Sequence, residues 1–86
     1  MMSEEKSKDD VIAFVLLNAE SAKTEHILDY LKEREQVKEA YIIYGDWDIL
    51  IKIQVPNLPE LTKLIMDLRK NAGIVKTSTL ITVEGI

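Results

Sequence analysis

The feature that most constrains the fold of this sequence is an unbroken apolar run, VIAFVLL, over residues 11–17. A run of this length matches a β-strand, and continuous apolarity is typical of a strand that is buried on both faces. Side chains alternate between the two faces of a sheet along each strand. The sheet that contains this run must therefore be covered on both sides.

The next part of the chain predicts a helix and a pair of strands. Ser21 is expected to cap the helix, with Glu25 in its first turn. Residues 39–44 (EAYIIY) and 48–55 are predicted to be strands, because both are rich in β-formers and the second alternates clearly. Gly45-Asp46 between them is typical of a tight turn, in which glycine supplies a positive φ.

The last part of the chain predicts a second helix and a fourth strand. Asn57 and Glu60 have the spacing of a capping box. Five apolar residues follow helical spacing from there, and Asn71 and Gly73 fit a helix stop. Residues 74–83 alternate as a strand does, so the predicted order is β-α-β-β-α-β.

The two halves of the chain also resemble each other, since Val37-Lys38 and Val75-Lys76 both lead into a strand. A repeated split β-α-β unit predicts an α+β, ferredoxin-like fold, with two helices on one face of a four-stranded antiparallel sheet. We expect a single domain over residues 11–86 after a polar tail over residues 1–10. Nothing in the chain remains to cover the other face, and 47% of the residues are hydrophobic. We therefore predict a homodimer or a higher oligomer formed through that open face; the alternative is a monomer with a locally apolar strand.

Composition excludes several classes of function. The chain of 86 residues has no cysteine and one histidine, His26, which excludes disulfides, thiolate metal sites, thiol nucleophiles and multi-histidine sites. Lys and Arg number 11 against 15 Asp and Glu, giving a net charge of −4. Direct binding to nucleic acid depends on basic side chains and is therefore not expected. Without a membrane-length apolar segment or a signal peptide, we expect a cytoplasmic chain with no membrane contact and no cofactor.

The densest cluster of unusual residues is YGDWD, over residues 44–48. A glycine turn exposes backbone N–H groups that bind a carboxylate, and Asp46 and Asp48 are suited to an ammonium group. The cluster therefore suits a zwitterion such as an amino acid. The alternative is an ordinary hairpin turn in which Trp47 only packs. Two carboxylates alone make a weak divalent-cation site.

Other polar residues carry less information. Thr77, Ser78 and Thr79 could bind a small polar ligand, although threonine is also an ordinary strand residue. Lys76 beside them is expected to be solvated. His26 is expected to face solvent from the first helix, and Lys52 is expected on the open sheet face, where it could pair with a carboxylate.

The sequence from residue 11 to residue 83 resembles the effector-binding, oligomerising (RAM) domain of the Lrp/AsnC family of transcription regulators. The segments that carry the resemblance are VIAFVLL, VKEAYIIYGDWDILIKI and GIVKTSTLITV. It implies dimers formed through the sheets, their assembly into higher oligomers such as tetramers or octamers, and an amino-acid effector bound between dimers. It implies that Gly45, Asp46, Trp47 and Asp48 bind the effector, with residues 77–79 approaching from the fourth strand. Trp47 departs from the smaller aromatic residue more common there.

These features lead to one main functional hypothesis and two alternatives. The main hypothesis is a stand-alone RAM domain that is not an enzyme, binds an amino acid, and acts through a full-length Lrp/AsnC regulator, because no helix-turn-helix precedes residue 11. One alternative is a small ferredoxin-like dimeric enzyme, for which His26 would be the main catalytic candidate. The other is a purely structural assembly domain.

Overall fold

Six elements follow one another in the predicted order in the computed structural model, which describes residues 10–70 and 73–85. They are β1 (Val11–Ala19), α1 (Thr24–Lys32), β2 (Val37–Ile42), β3 (Ile49–Val55), α2 (Leu58–Arg69) and β4 (Ile74–Ile81). The ferredoxin-like α+β prediction is confirmed. The predicted tail lies outside the described residues except for Asp10, and the Asn71 part of the helix stop also lies outside them.

The sheet is antiparallel, with the strand order β2-β3-β1-β4. The apolar run is thus an interior strand, flanked by β3 from Val11 opposite Val55 to Leu17 opposite Ile49. On its other side β1 pairs with β4, from Ala13 opposite Ile81 onwards. An interior strand has neighbours on both edges, so its side chains are shielded from water more than those of an edge strand.

The core lies between the two helices and one face of the sheet, which we call the covered face. Every second residue of β1 and β3 points into it, and α1 and α2 supply the other layer. The buried side chains are those of Ala13, Val15, Leu17, Ile27, Leu31, Ile49, Ile51, Ile53, Val55, Leu61, Leu64 and Leu68. Each large aliphatic side chain buried in this way contributes about 1.5–3 kcal/mol to folding.

The start of α1 differs from the prediction. The residue at the N-cap is Lys23, no side chain caps the helix, and the predicted cap at Ser21 is wrong. The reason is a turn between β1 and α1, in which the backbone N–H of Lys23 donates to the carbonyl of Glu20 at 3.1 Å. Ala22 takes a φ of 68° in that turn, which leaves Ser21 too early in the chain to reach the helix.

The start of α2 agrees with the prediction. The Asn57 Oδ1 accepts a hydrogen bond from the backbone N–H of Glu60 at 2.9 Å, which satisfies one of the free donors of the first turn. Gly73 lies three residues beyond the C-cap Lys70, and its φ of 105° belongs to the connection into β4. Within the described ranges, neither helix is long and apolar enough to cross a membrane.

The bounds of all four strands differ from the prediction, most of all in β2 and β4. β2 begins at Val37 and ends at Ile42 rather than running over residues 39–44. A bulge lies between Val37 and Glu39, and the chain leaves the sheet at residue 43. β4 ends at Ile81, although the backbone N–H of Thr82 still donates to the carbonyl of Ile12 at 2.9 Å.

Candidate functional site

The connection between β2 and β3, residues 43–48, holds the cluster that the sequence singled out, and we call it the 43–48 loop. Its base is closed by the backbone N–H of Ile43, which donates to the carbonyl of Asp48 at 2.9 Å. Gly45 has a φ of 131°, as predicted for a turn glycine. A Cβ at Gly45 would meet no atom within 4 Å, so backbone conformation and not space favours glycine here. The loop is longer than the predicted tight turn.

Asp48 attaches this loop to the end of β1. Its backbone N–H donates to the carbonyl of Leu17 at 2.9 Å, and its Oδ2 accepts from the backbone N–H of Ala19 at 2.8 Å. The pairing of β1 with β3 ends at Leu17 opposite Ile49. The carboxylate therefore satisfies an amide that lies just past the end of that ladder.

Trp47 extends the loop across β1 to the beginning of β4. The Nζ of Lys76 lies 5.3 Å from the centroid of the Trp47 ring, within the range of a cation–π interaction. Lys76 is exposed, as predicted, but its ammonium group is also held over this ring. The sequence pattern carries no signal for this contact, because it joins residues that are distant in the chain.

The rest of the loop faces solvent. Tyr44 is fully exposed, and Gly45 and Asp46 are also exposed. The three surface concavities described for this chain contain no residue of the loop. They are lined by Arg34, Gln36, Glu60, Lys63, Leu64 and Asp67; by Ala22, Thr24 and Glu25; and by Leu61, Thr62, Ile65, Met66, Arg69, Thr79 and Ile81. A ligand bound against Tyr44, Gly45 and Asp46 of a single chain would be open to water, because these residues are exposed.

The three predicted hydroxyl residues do not form one cluster. Thr77 and Thr79 pair with Leu17 and Val15 of β1, whose side chains are on the covered face, whereas Ser78 pairs with Leu16 on the opposite face. Thr77 lies nearest the loop, because its pairing partner Leu17 also accepts the bond from Asp48. The alternation of strand side chains was the available signal that these residues divide between two faces.

The face of the sheet away from the helices, which we call the open face, is apolar along its central strand. Leu16 of β1 lies beside Leu50 of β3, which in turn pairs with Tyr41 of β2. Phe14 pairs with Leu80 of β4. All are only partly shielded, and Tyr41 and Leu80 are 51% and 55% exposed.

A cluster of polar side chains, formed by Glu39, Tyr41 and Lys52, lies on β2 and β3 at the side of this face. Lys52 is on the open face as predicted, and its Nζ lies 3.6 Å from Oε2 of Glu39 in the same chain. The hydroxyl of Tyr41 donates to Oε1 of Glu39 at 2.8 Å. That hydrogen bond, followed by the charge of Glu39 and burial, raises the pKa of Tyr41 above its ordinary value.

The residue considered for catalysis lies on a different element from the 43–48 loop. His26 is exposed on α1, as expected. Residues 10–70 and 73–85 contain no group of three His, Asp or Glu side chains arranged to hold a metal ion. Asp67 is already engaged in an ion pair, with 3.4 Å between its Oδ2 and the Nη2 of Arg34, which also donates to the Tyr30 hydroxyl.

Comparison with known proteins is consistent with this geometry. The family model of the Lrp/AsnC ligand binding domain matches residues 12–86. The HTH-type transcriptional regulator FL11 of Pyrococcus abyssi is 27% identical over 74 residues, which are 86% of this chain and 49% of the regulator. This chain thus spans about half the length of the curated relatives it matches.

Two solved structures share the fold. FFRP-DM1 is 34% identical, with a TM-score of 0.83 and coverage of 85% of this chain and 99% of that one. A transcriptional regulator from Neisseria meningitidis, in complex with L-Met, has a TM-score of 0.81 at 14% identity. The aligned region covers 88% of this chain and 51% of the regulator. At this identity the likeness concerns the fold alone.

Proposed function

Because the chain belongs to the family of Lrp/AsnC ligand-binding domains, we propose that it is an effector-sensing module of transcription regulation. In this proposal the 43–48 loop binds an amino acid and the open face associates with a second copy. The observation that carries the proposal is the loop itself, which brings a glycine turn, an unburied carboxylate and a lysine to one end of the sheet.

The chemistry of the loop suits a zwitterion. Asp46 offers a carboxylate to an ammonium group, while Lys76 and the backbone around Gly45 offer donors to a carboxylate. An amino acid carries both charges on neighbouring atoms. The Neisseria meningitidis regulator, which shares the fold, forms a complex with L-Met, and this supports the same ligand class.

Residues 77–79 make unequal contributions to the proposed site. Thr77 is nearest the loop and is the member of this group that we include in the site beside Gly45, Asp46 and Trp47. Ser78 faces the open side of the sheet and Thr79 faces the groove beside α2, so these two suit contacts with a neighbouring copy.

The open face supports self-association. On β1 this face carries Ile12, Phe14 and Leu16, at positions where a solvent-exposed face would carry polar residues. Contiguous apolar surface of this kind is typical of an interface. A loop whose Tyr44 is fully exposed is also suited to a ligand site that a neighbouring copy completes.

We also propose that the module acts through a regulator and not through DNA directly. The curated relatives are HTH-type transcriptional regulators, and the family domain is the part that they share with this chain. The net charge of −4 disfavours contact with phosphates. Shared domain surfaces would allow this chain to assemble with a full-length Lrp/AsnC regulator.

The test is a thermal-shift panel of the standard amino acids at millimolar concentration. Saturation at about 100 times Kd adds about 2.7 kcal/mol, which corresponds to a rise in Tm of roughly 10–20 °C in a domain of this size. The N-acetyl derivative and the amide of the best ligand are matched controls, because each removes one of the two charges. If no amino acid raises the Tm, the sensing function is wrong, and a structural assembly role becomes the better account.

A further inference from the structure

The two carboxylates of the 43–48 loop are in different situations. Asp48 is half-buried and its Oδ2 already accepts the hydrogen bond from the backbone N–H of Ala19. Asp46 is exposed, and its carboxylate has no partner within residues 10–70 and 73–85. The two residues look equivalent in the sequence. The Asp48 carboxylate is engaged in a hydrogen bond, whereas the Asp46 carboxylate is accessible to a ligand.

We propose that Asp48 is a positioning residue, and that Asp46 and Lys76 are the charged groups that contact the effector. This inference rests on the proposed function and deepens it, because it assigns the ammonium group of the amino acid to Asp46 and its carboxylate to Lys76. It differs from the simpler expectation that both aspartates bind the ligand.

Asp48 is suited to positioning because three of its groups are engaged at once. Its N–H donates to Leu17, its carbonyl accepts from Ile43, and its side chain accepts from Ala19. Rotating the carboxylate towards a ligand would leave the Ala19 amide without its acceptor, which is unfavourable for a partly buried donor. The bond to Ala19 instead fixes the loop on the last residues of the central strand.

Lys76 is suited to ligand contact because its ammonium group is located but not neutralised. The Trp47 ring holds the Nζ at 5.3 Å from its centroid, and no carboxylate within the described ranges pairs with it. A cation over a ring keeps its remaining N–H donors for an anion. Asp46 precedes Trp47 in the chain, and in this proposal the two charges bind the two charged groups of one amino acid.

The first experiment tests Asp48 without any ligand. Amide hydrogen exchange at Ala19, followed by NMR, is expected to quicken at least tenfold in Asp48→Ala. In Asp48→Asn it is expected to stay within about threefold of the original chain, because the asparagine carbonyl accepts the same bond. Equal exchange in the original chain and Asp48→Ala would overturn the positioning role.

The second experiment measures affinity for the best amino acid from the thermal-shift panel. Trp47 is the only tryptophan in the chain, so its fluorescence reports on this loop directly. We expect Asp46→Asn and Lys76→Met each to weaken binding at least tenfold, and Asp48→Asn to change it by no more than about threefold. Lys63→Met, an exposed lysine on α2, is the matched control and should leave the affinity unchanged.

The outcomes separate this inference from the proposed function. If Asp48→Asn loses as much affinity as Asp46→Asn, Asp48 contacts the ligand and the assignment is wrong. If Lys76→Met binds like the original chain, Lys76 does not contact the effector. If no amino acid binds the original chain, the proposed function and the Asp46 and Lys76 assignments fail together, while the exchange of Ala19 still decides the role of Asp48.

Discussion

The two faces of the sheet are built by the same strands but have different environments. On the covered face, Val15, Leu17 and Ile51 have no exposed surface at all. On the open face, the neighbouring side chains of Phe14, Leu16 and Leu50 are equally apolar but only half-buried. The difference shows that an apolar run in β1 serves two surfaces, of which the chain itself covers only one.

The open face also carries charge where the covered face carries none. Glu39 and Lys52 form a pair at the side of the apolar surface, and the core contains no buried polar or charged residue among those described. A surface with an apolar centre and a polar margin is typical of an interface between proteins. Substitutions on each face can test whether the two faces differ in this way.

The same substitution in adjacent residues of β1 should separate the faces most strongly. Leu17→Ala removes a fully buried side chain and is expected to lower the free energy of unfolding by about 2–5 kcal/mol. Leu16→Ala, in dilute solution, should cost only about 1 kcal/mol. Urea unfolding of both variants measures this, and equal costs would show that the faces are alike.

Phe14→Lys tests the open face as an association surface. The new charge lies beside Lys52, with which Phe14 is paired across β1 and β3, so it adds repulsion to the loss of apolar area. We expect self-association to weaken at least tenfold, about 1.4 kcal/mol. His26→Lys adds the same charge at an exposed position of α1 and should leave association unchanged; sedimentation velocity measures both variants.

Ala22→Gly changes stability away from both faces. Ala22 has a φ of 68°, a conformation that is unfavourable for a residue with a Cβ. After allowing for the greater chain entropy of glycine, we expect the free energy of unfolding to rise by about 0.5–1 kcal/mol. Self-association, measured by sedimentation velocity, should not change. A change would show that the stability of the fold and association through the open face are linked.

The smallest expected effect concerns Tyr41 on the open face. Its raised pKa means that its hydrogen bond stabilises the fold below pH of about 10 and that this contribution is lost as the pH rises through the folded-state pKa. Glu39→Ala should lower the pKa of Tyr41 towards its ordinary value, measured from the tyrosine ring signals by NMR. Glu35→Ala, at an exposed position, should leave it unchanged.

Sequence patterns predicted the fold because the fold depends on local periodicity. The apolar run, the alternation in residues 48–55 and the spacing from Asn57 to Glu60 each specify an element without reference to the rest of the chain. The cap at Ser21 failed because the turn with Ala22 at positive φ takes up those residues first. Where a helix starts after a turn depends on the geometry of the whole connection.

The candidate site was only partly predictable. The YGDWD cluster and the positive φ of Gly45 followed from turn chemistry. The bond from Ala19 to Asp48 and the contact of Lys76 with Trp47 join residues far apart in the sequence. Neither has a local signature, because strand pairing alone brings the ends of β1, β3 and β4 together.

The mass of the chain in solution tests whether a second copy completes the open face. Sedimentation equilibrium over micromolar concentrations should give at least twice the single-chain mass of 9.8 kDa, and Phe14→Lys should shift the mass towards one chain. A mass of one chain for the original sequence throughout that range, with Phe14→Lys indistinguishable from it, would show that the open face does not bind a second copy.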